Sequence, residues 1–298
     1  MKSKHADMLL ILITAIWGLS FPLIRNSLPY ISEITYLFYR FMLASIILVL
    51  IFWKKYKLIN SSVLIKGTIL GISLFGALSF TVFALQYTTA SNVAFITGLN
   101  IVIVPFFYNL ILKKKIDLIK KISIIIAVIG LVFISGGLQL QFNQGDLLAF
   151  LCALCISAQI ILTDIFARSE DSIILGCLQV NVATVIYFIT CFISGVGFSF
   201  DVKEIVVITI VFTGIAGTAL AFVGQTYVQK YTSPAHVAII FILEPVFGAV
   251  FALIIPNLDG TIEMISPIKR IGCALLILAM ILTETFGRKK ISKVSECD

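Results

Sequence analysis

Ten stretches of mostly apolar residues divide this chain, and each is long enough to cross a lipid bilayer as a helix, which needs about 17–25 residues. Charged or turn-forming residues separate the stretches. They lie at residues 8–28, 33–53, 64–86, 91–112, 121–138, 145–167, 172–195, 203–226, 235–255 and 267–287. The sequence therefore predicts an all-α integral membrane protein with ten transmembrane helices.

The composition agrees with this prediction. Of 298 residues, 60% are hydrophobic and 12% are charged, and the mean hydropathy is +1.10. An ordinary soluble domain has about 25% charged residues, so a single water-facing core could not hide this much apolar surface. The net charge of +7 does not indicate nucleic-acid binding, because the basic residues lie in short loops and at both ends, without an arginine-rich patch interleaved with aromatic residues.

The same basic residues predict the orientation. With ten spans, seventeen lysines and arginines fall on one side of the membrane and four on the other, while Arg40 lies within a helix. The richer side is expected to be cytoplasmic, which places both termini of a multi-pass cell-membrane protein in the cytoplasm. The run from Met8 to about Leu28 follows Lys2 and Lys4 like a signal peptide, but it is too long and lacks a cleavage site, so it is interpreted as the first span.

The six cysteines predict neither a disulfide framework nor a metal site. Five lie inside apolar stretches and Cys297 lies in the tail. Cys152 and Cys155 have CxxC spacing but no second pair of ligands, so packing is the favoured interpretation. No metal or cofactor is expected.

A duplicated segment indicates an internal repeat. Tyr87-Thr88-Thr89-Ala90-Ser91-Asn92-Val93-Ala94 returns 144 positions later as Tyr231-Thr232-Ser233-Pro234-Ala235-His236-Val237-Ala238. Asp7 meets Asp146 at a shift of 139, and Lys120-Lys121-Ile122 meets Lys269-Arg270-Ile271 at a shift of 149. The predicted halves are residues 1–138 and 139–287, followed by a basic cytoplasmic tail at 288–298. Since each half has five spans, the second half is inverted, and such repeats commonly surround a central site.

Polar residues inside the spans are the candidate functional residues, because burying them in a bilayer is costly. Glu244 lies near the middle of the ninth span, and Pro245 after it favours a local break. A carboxyl there could bind a cation, hold an amine or carry a proton, and burial favours its protonated form. The alternative is a protonated glutamic acid that only bridges a kink.

Asn100 is the repeat partner of Glu244, with a helix–helix hydrogen bond as the alternative role. Arg40 could bind a substrate carboxylate or pair with Glu244, or it could reach the outer headgroups or pair with Glu33. Trp17, Gln159 and Gln179 are weaker candidates for substrate binding, since packing roles are common for such residues.

Four further features have structural interpretations. We expect His236 to have an interfacial structural role and Asp164 to pair with Arg168 one turn away. Ser233-Pro234 is typical of a helix start. The small residues of the eighth span form one face, for tight packing or for sliding. They are Gly214, Gly217, Ala221 and Gly224.

Several of these segments together resemble a known family. Trp17-Gly18-Leu19-Ser20-Phe21, Arg40-Phe41-Met42-Leu43-Ala44, the duplicated Tyr-Thr segment and Glu244-Pro245-Val246-Phe247 resemble the drug/metabolite transporter superfamily, EamA type. The resemblance covers nearly the whole chain and implies a ten-helix bundle around a central cavity, with Trp17, Arg40 and Glu244 as cavity residues. The chain departs from the family where a Gly-Glu pair is common after the fourth and ninth helices, and has Lys113-Lys114-Lys115 and Asn257-Leu258-Asp259 there.

The favoured function is a secondary transporter that exports a small metabolite by alternating access, coupled to protons, with an amino acid or related amphipathic compound as one candidate substrate. The alternatives are an uptake permease or an uncoupled facilitator with the same fold. An intramembrane enzyme is disfavoured, since the sequence contains no HExxH, GxxxxGK[ST] or GxSxG motif. The expected partners are the substrate, protons and the lipid bilayer, and the sequence does not indicate an oligomeric state.

Overall fold

The computed structural model describes residues 3–84, 87–88, 90–112, 118–135, 143–196, 198, 203–262 and 265–286, and within these ranges the chain is helical and has no β-strand. The α-helices are α1 (Ser3–Ser27), α2 (Glu33–Phe52), α3 (Ser61–Ala84), α4 (Ala90–Gly98), α5 (Asn100–Leu112), α6 (Leu118–Ser135), α7 (Gln144–Ala167), α8 (Ser172–Ser194), α9 (Glu204–Gly214), α10 (Ala221–Gln229), α11 (Pro234–Phe241), α12 (Glu244–Ala252) and α13 (Pro267–Phe286). A π-helical segment, Ile215–Leu220, joins α9 to α10, and two 3₁₀ turns follow α1 and α2.

Eight helical segments are long and apolar enough to cross a membrane, so the prediction of a helical membrane protein is confirmed. They are His5–Tyr30, Glu33–Leu58, Ser61–Ala84, Leu118–Ser135, Gln144–Ala167, Ser172–Ser194, Glu204–Gln229 and Pro234–Ala252. The fourth predicted span contains a shorter apolar helix, Phe95–Ile111. The tenth coincides with α13, whose 20 residues include Lys269, Arg270 and Glu284. The count of ten spans stays a prediction.

Local capping explains where several helices begin. Asn143 and Asp146 form a reciprocal capping box at the start of α7, and the Asp171 carboxylate accepts hydrogen bonds from two backbone amides of α8. The predicted start at Ser233-Pro234 is confirmed, because the Ser233 hydroxyl accepts a hydrogen bond from the His236 amide. These side chains satisfy amide groups that have no partner inside the helix.

The packing brings together helices that are distant in sequence. α6 packs along α13, α2 along α8, α1 against α9, α10 and α12, and α7 against α3, α4 and α5. Glycines permit the closest approaches: a Cβ atom on Gly272 of α13 would lie 2.7 Å from the Gly130 carbonyl oxygen of α6. Close backbone approach through small residues is typical of helix pairs in membranes, where dispersion rather than water drives association.

Helix starts in the two parts of the chain follow the shifts seen in the sequence. The starts of α2 and α8, at Glu33 and Ser172, are related by the same shift as Asp7 and Asp146. The starts of α4 and α11 are related by the shift of the duplicated Tyr-Thr segment. The starts of α6 and α13 are related by the shift of the Lys120 and Lys269 segments. These helix starts therefore follow the same three shifts as the repeated sequence segments.

Candidate functional site

The ninth predicted span is broken in its middle, at the expected place. α11 ends at Phe241 and α12 begins at Glu244. Pro245 explains the break, since it has no amide hydrogen and its ring would clash with the carbonyl four residues earlier. The intervening Leu243 amide donates to the Ile240 carbonyl at 3.0 Å, a tighter turn than that of an α-helix. Glu244 therefore lies in the first turn of a new helix, where a negative charge is favoured by the helix dipole.

The fourth predicted span is broken at the equivalent residue. α4 ends at Gly98 and α5 begins at Asn100, and the Leu99 amide donates to the Ile96 carbonyl at 3.1 Å. The repeat relates this bond to the Leu243–Ile240 bond of the other break. Here no proline is present at the break; glycine, a weak helix former, occupies the last position of α4. Asn100 and Glu244 are thus the first residues of two corresponding half-helices.

Glu244 faces the interior of the bundle. Its side chain is partly exposed, and within the described ranges no protein group hydrogen-bonds to its carboxyl or lies within 4.0 Å as an ion-pair partner. Arg40 of α2 and Cys152 of α7 are near enough to interact with it electrostatically. The carboxyl therefore lies near groups of other helices, but among the described residues no hydrogen bond or ion pair uses it to hold those helices together.

Arg40 is fastened to the π-helical segment. Its side chain is 5% exposed; Nε donates to Thr218 Oγ1 at 2.7 Å and Nη2 donates to the Gly217 carbonyl at 3.2 Å. These bonds direct the guanidinium into the bundle. It therefore does not extend toward Glu33 or toward the outer end of α2, the alternative considered from the sequence. A positive charge at this depth tolerates burial because it is hydrogen-bonded and lies near Glu244.

Trp17 also hydrogen-bonds to the Gly217 carbonyl. Its indole Nε1 donates to the Gly217 oxygen at 2.9 Å, and its ring packs on Phe222 and Phe241 with centroid distances of 5.4 and 5.0 Å. π-helical turns are rare and occur frequently at functional sites. We call Trp17, Arg40, Gly217, Thr218 and Glu244 the central polar cluster.

Gln159 and Gln179 belong to a separate network of buried amides. Gln159 donates to Gln179 at 3.0 Å and accepts from Gln225 at 3.0 Å; Gln225 also donates to Gln229 at 3.0 Å. Gln179 in turn donates to Thr226 at 2.8 Å. The network joins α7, α8 and α10, and such interhelical bonds typically stabilise membrane bundles by about 0.6 kcal/mol each. Packing, the alternative interpretation of Gln159 and Gln179, accounts for these contacts.

The remaining sequence candidates have these positions. Asn100 is 9% exposed and is not brought into contact with the central polar cluster by any hydrogen bond among the described residues. Asp164 and Arg168 form the expected ion pair at 2.8 Å. His236 is buried and its Nε2 lies 3.0 Å from Asp7 Oδ1, so it joins α11 to α1, a structural contact; its expected place at the membrane interface stays a prediction.

Two of the four small residues of the eighth span lie against Arg40, whereas Gly224 faces Ile13 of α1. A Cβ on Gly214 would lie 3.1 Å from the Arg40 carbonyl oxygen, and one on Gly217 would lie 3.5 Å from Arg40 Nη2. The contacts match the packing interpretation. Sequence reasoning missed Thr218 as an Arg40 partner and the role of the Gly217 carbonyl, since a carbonyl freed by a π turn has no sequence motif. Asp7 was noticed only as a repeat match.

Comparison with known proteins identifies the family. The sequence profile of the EamA-like transporter family matches residues 4–136 and 143–285. An uncharacterized transporter of Archaeoglobus fulgidus is 28% identical over 282 residues, covering 94% of this chain and 86% of that protein. The uncharacterized transporter YoaV of Bacillus subtilis is 22% identical over 298 residues, with 95% and 98% covered.

A solved structure titled only "Crystal structure of protein" has the same fold. It aligns with a TM-score of 0.75 at 16% identity and covers 97% of this chain and 98% of that one. The resemblance noted in the sequence is therefore confirmed over nearly the full length. The chain belongs to the EamA-like transporter family and is a multi-pass membrane transporter.

Proposed function

We propose that this protein is a proton-coupled secondary transporter that exports a small amphipathic metabolite by alternating access. Two inverted five-helix halves, residues 1–138 and 139–287, enclose the substrate, and the protein resides in the cell membrane with both termini in the cytoplasm. The two matched family segments, the helix starts that follow the shifts of the sequence repeat, and the equivalent breaks at Leu99 and Leu243 support this arrangement.

One observation carries the proposal: the Glu244 carboxyl lies among the packed helices, near Arg40 and Cys152, and has no hydrogen-bond partner among the described residues. Buried and partly buried polar groups in proteins are normally hydrogen-bonded, so a carboxyl among packed helices that no described protein group satisfies indicates a group that binds something transient. A proton and the ammonium group of a substrate are both suited to this role. Arg40, held beside it by the π-helical segment, supplies the opposite charge that a zwitterionic compound requires.

The first experiment identifies the substrate class. Purified protein is heated in the presence of amino acids, amines and nucleosides, because a ligand that binds the folded state raises the apparent midpoint by mass action. We expect stabilisation by zwitterionic amino acids in the wild type and a smaller shift in Glu244→Gln, whose amide oxygen can still accept a hydrogen bond from the ammonium group. Stabilisation by nucleosides alone would contradict the amino-acid class.

The second experiment tests coupling. In everted vesicles, an imposed pH gradient should drive accumulation of the identified substrate by the wild type. Glu244→Gln keeps the side-chain size but cannot exchange a proton, so gradient-driven accumulation should be lost while substrate counterflow persists. Glu33→Gln, at the start of α2, is the matched control and should behave as the wild type.

Unchanged gradient-driven transport by Glu244→Gln would remove this residue as the coupling group. Wild-type counterflow that is indifferent to the pH gradient would instead favour an uncoupled facilitator or an uptake permease. These outcomes separate the role of Glu244 from the transport activity itself.

A further inference from the structure

Two buried carboxylates tie corresponding parts of the chain together at opposite ends of the bundle. At one end, His236 Nε2 of α11 lies 3.0 Å from Asp7 Oδ1 of α1, and the two residues are 8% and 5% exposed. At the other end, Thr88 Oγ1, just before α4, donates to Asp146 Oδ1 of α7 at 3.2 Å, and Asp146 is 3% exposed.

The two contacts join corresponding helices of the internal repeat, although Thr88 and His236 are not repeat partners: at the shift of 144, Thr88 corresponds to Thr232 and His236 to Asn92. Asp7 and Asp146 are repeat partners and lie near the starts of α1 and α7. Thr88 lies two residues before α4, and His236 is the third residue of α11, the helix that corresponds to α4 in the repeat. Each contact therefore joins the first helix of one half to the beginning of the broken span of the other half.

Both broken spans lead from these contacts to the mid-membrane polar residues. α11 carries His236 at one end and is followed by Glu244, eight residues later, or about 12 Å along a helix. α4 begins beside Thr88 and is followed by Asn100. Because each half-helix is short and ends at a break, it can move as a unit relative to the half-helix after it.

We propose that the Asp7–His236 contact and the Thr88–Asp146 contact are the latches of the cytoplasmic and outer gates of this transporter. The inference rests on the proposed alternating-access function. An inverted repeat places the elements that close one side at positions equivalent to those that close the other, so paired gate contacts should join corresponding helices. Opening one side then requires its latch to break while the opposite latch holds.

The latches differ in chemistry. The cytoplasmic latch joins two ionisable side chains, whereas the outer latch joins a carboxylate to a hydroxyl. The turn before α11 also contacts the end of α7. Arg168 Nη2 donates to the Thr232 carbonyl at 3.4 Å and is paired with Asp164. The Tyr108 hydroxyl of α5 in turn donates to Asp164 at 3.3 Å. The start of α11 and the turn before it are therefore joined to α7 as well as to α1.

Access from each side to one interior cysteine tests the proposal. Ser20→Cys, in a background without the native cysteines, places a thiol beside the central polar cluster, since a Cβ on Gly217 would lie 3.5 Å from Ser20 Oγ. A membrane-impermeant methanethiosulfonate is applied to everted and to right-side-out vesicles. With both latches intact, substrate should change the two labelling rates in opposite directions, as alternating access requires.

Removing a latch should shift the labelling by about fivefold, the factor in an equilibrium constant that one hydrogen bond of typical net strength represents. His236→Ala and Asp7→Asn should raise labelling from the cytoplasmic side and lower it from outside. Thr88→Val, nearly equal in size, should do the reverse. His5→Ala, which removes an exposed imidazole from α1, is the matched control and should leave both rates unchanged.

Three outcomes overturn the proposal. Equal increases from both sides in His236→Ala and Asp7→Asn would mean that the contact only holds the fold together. Rates unchanged by either latch variant, with a normal response to substrate, would refute the latches but leave alternating access intact. Labelling from one side alone, unaffected by substrate or by any variant, would refute the proposed function together with the latches.

Discussion

The close contact between α1 and α12 depends on a glycine, and replacing it with alanine should destabilise the protein measurably. A Cβ atom on Gly18 would overlap Phe247 Cβ, and it would lie 2.9 Å from the Gly248 amide nitrogen and 3.0 Å from the Phe247 carbonyl carbon. Ordinary contacts between carbon atoms are about 3.5–4.0 Å. None of the three atoms can turn away on a flexible side chain, so the two helices must separate locally by about 1 Å.

The expected cost follows from this geometry. Inserting a methyl group into a well-packed contact costs typically about 1–3 kcal/mol, and alanine's better helix propensity returns up to about 1 kcal/mol. Gly224→Ala is the matched control on α10. Its Cβ would meet only Ile13 Cδ1, at 3.3 Å, a terminal methyl group that can rotate, so the propensity gain should offset most of the strain.

Thermal midpoints of the two purified variants, recorded in the same detergent at one heating rate, check the prediction. For large domains each kcal/mol corresponds to roughly 2–4 °C, so Gly18→Ala should melt several degrees below Gly224→Ala. Transport by Gly18→Ala should also fall, since α1 carries Trp17 and α12 carries Glu244. A Gly18→Ala midpoint equal to or above that of Gly224→Ala would refute the close α1–α12 packing.

Two further variants test the charged groups. Arg40→Met removes two interhelical hydrogen bonds and should cost about 1–3 kcal/mol in the same assay; Arg40→Lys should recover less than half, because an ammonium cannot reproduce the guanidinium fork. Burial raises the pKa of Asp171, but hydrogen bonds from Lys55 and from the amides of the first turn of α8 outweigh it and hold that pKa below its usual range. The ionised Asp171 therefore stabilises the fold fully above its ordinary pKa of about 4, and this stabilisation is lost as the pH falls through the pKa in the folded state. The wild type should be more stable than Asp171→Asn by under about 1 kcal/mol at neutral pH. This difference in stability should vanish in acid. An advantage that grows in acid would contradict the sign.

Much of the helix placement follows from hydropathy and end signals. The predicted spans 33–53, 172–195 and 267–287 lie within one residue of the ends of α2, α8 and α13. Charged clusters and N-terminal capping residues act locally, so they can be recognised without knowledge of the fold. The break before Glu244 was equally readable, because proline excludes the preceding helical hydrogen bond by its own covalent structure.

The partners of the polar residues were beyond sequence reasoning. Arg40 had four possible roles because its position along α2 says nothing about which helix lies opposite. In the structure its partners are Gly217 and Thr218, in the other half of the chain. They lie in a turn whose π form depends on the packing around it. The break at Leu99 has no proline, so only its repeat relation to Leu243 could have indicated it.

The π-helical segment determines how far α10 is rotated about its axis relative to α9, and side chains of other helices bond to this segment. An α-helix turns by about 100° per residue, so conversion of Ile215–Leu220 to α-helical form would rotate everything after it relative to α9 by about that angle. Gln225 would then leave Gln159. Arg40 and Trp17 bond to the widened turn and so stabilise its π form. Through this turn the groups around Glu244 are linked to the glutamine network about two helical turns away.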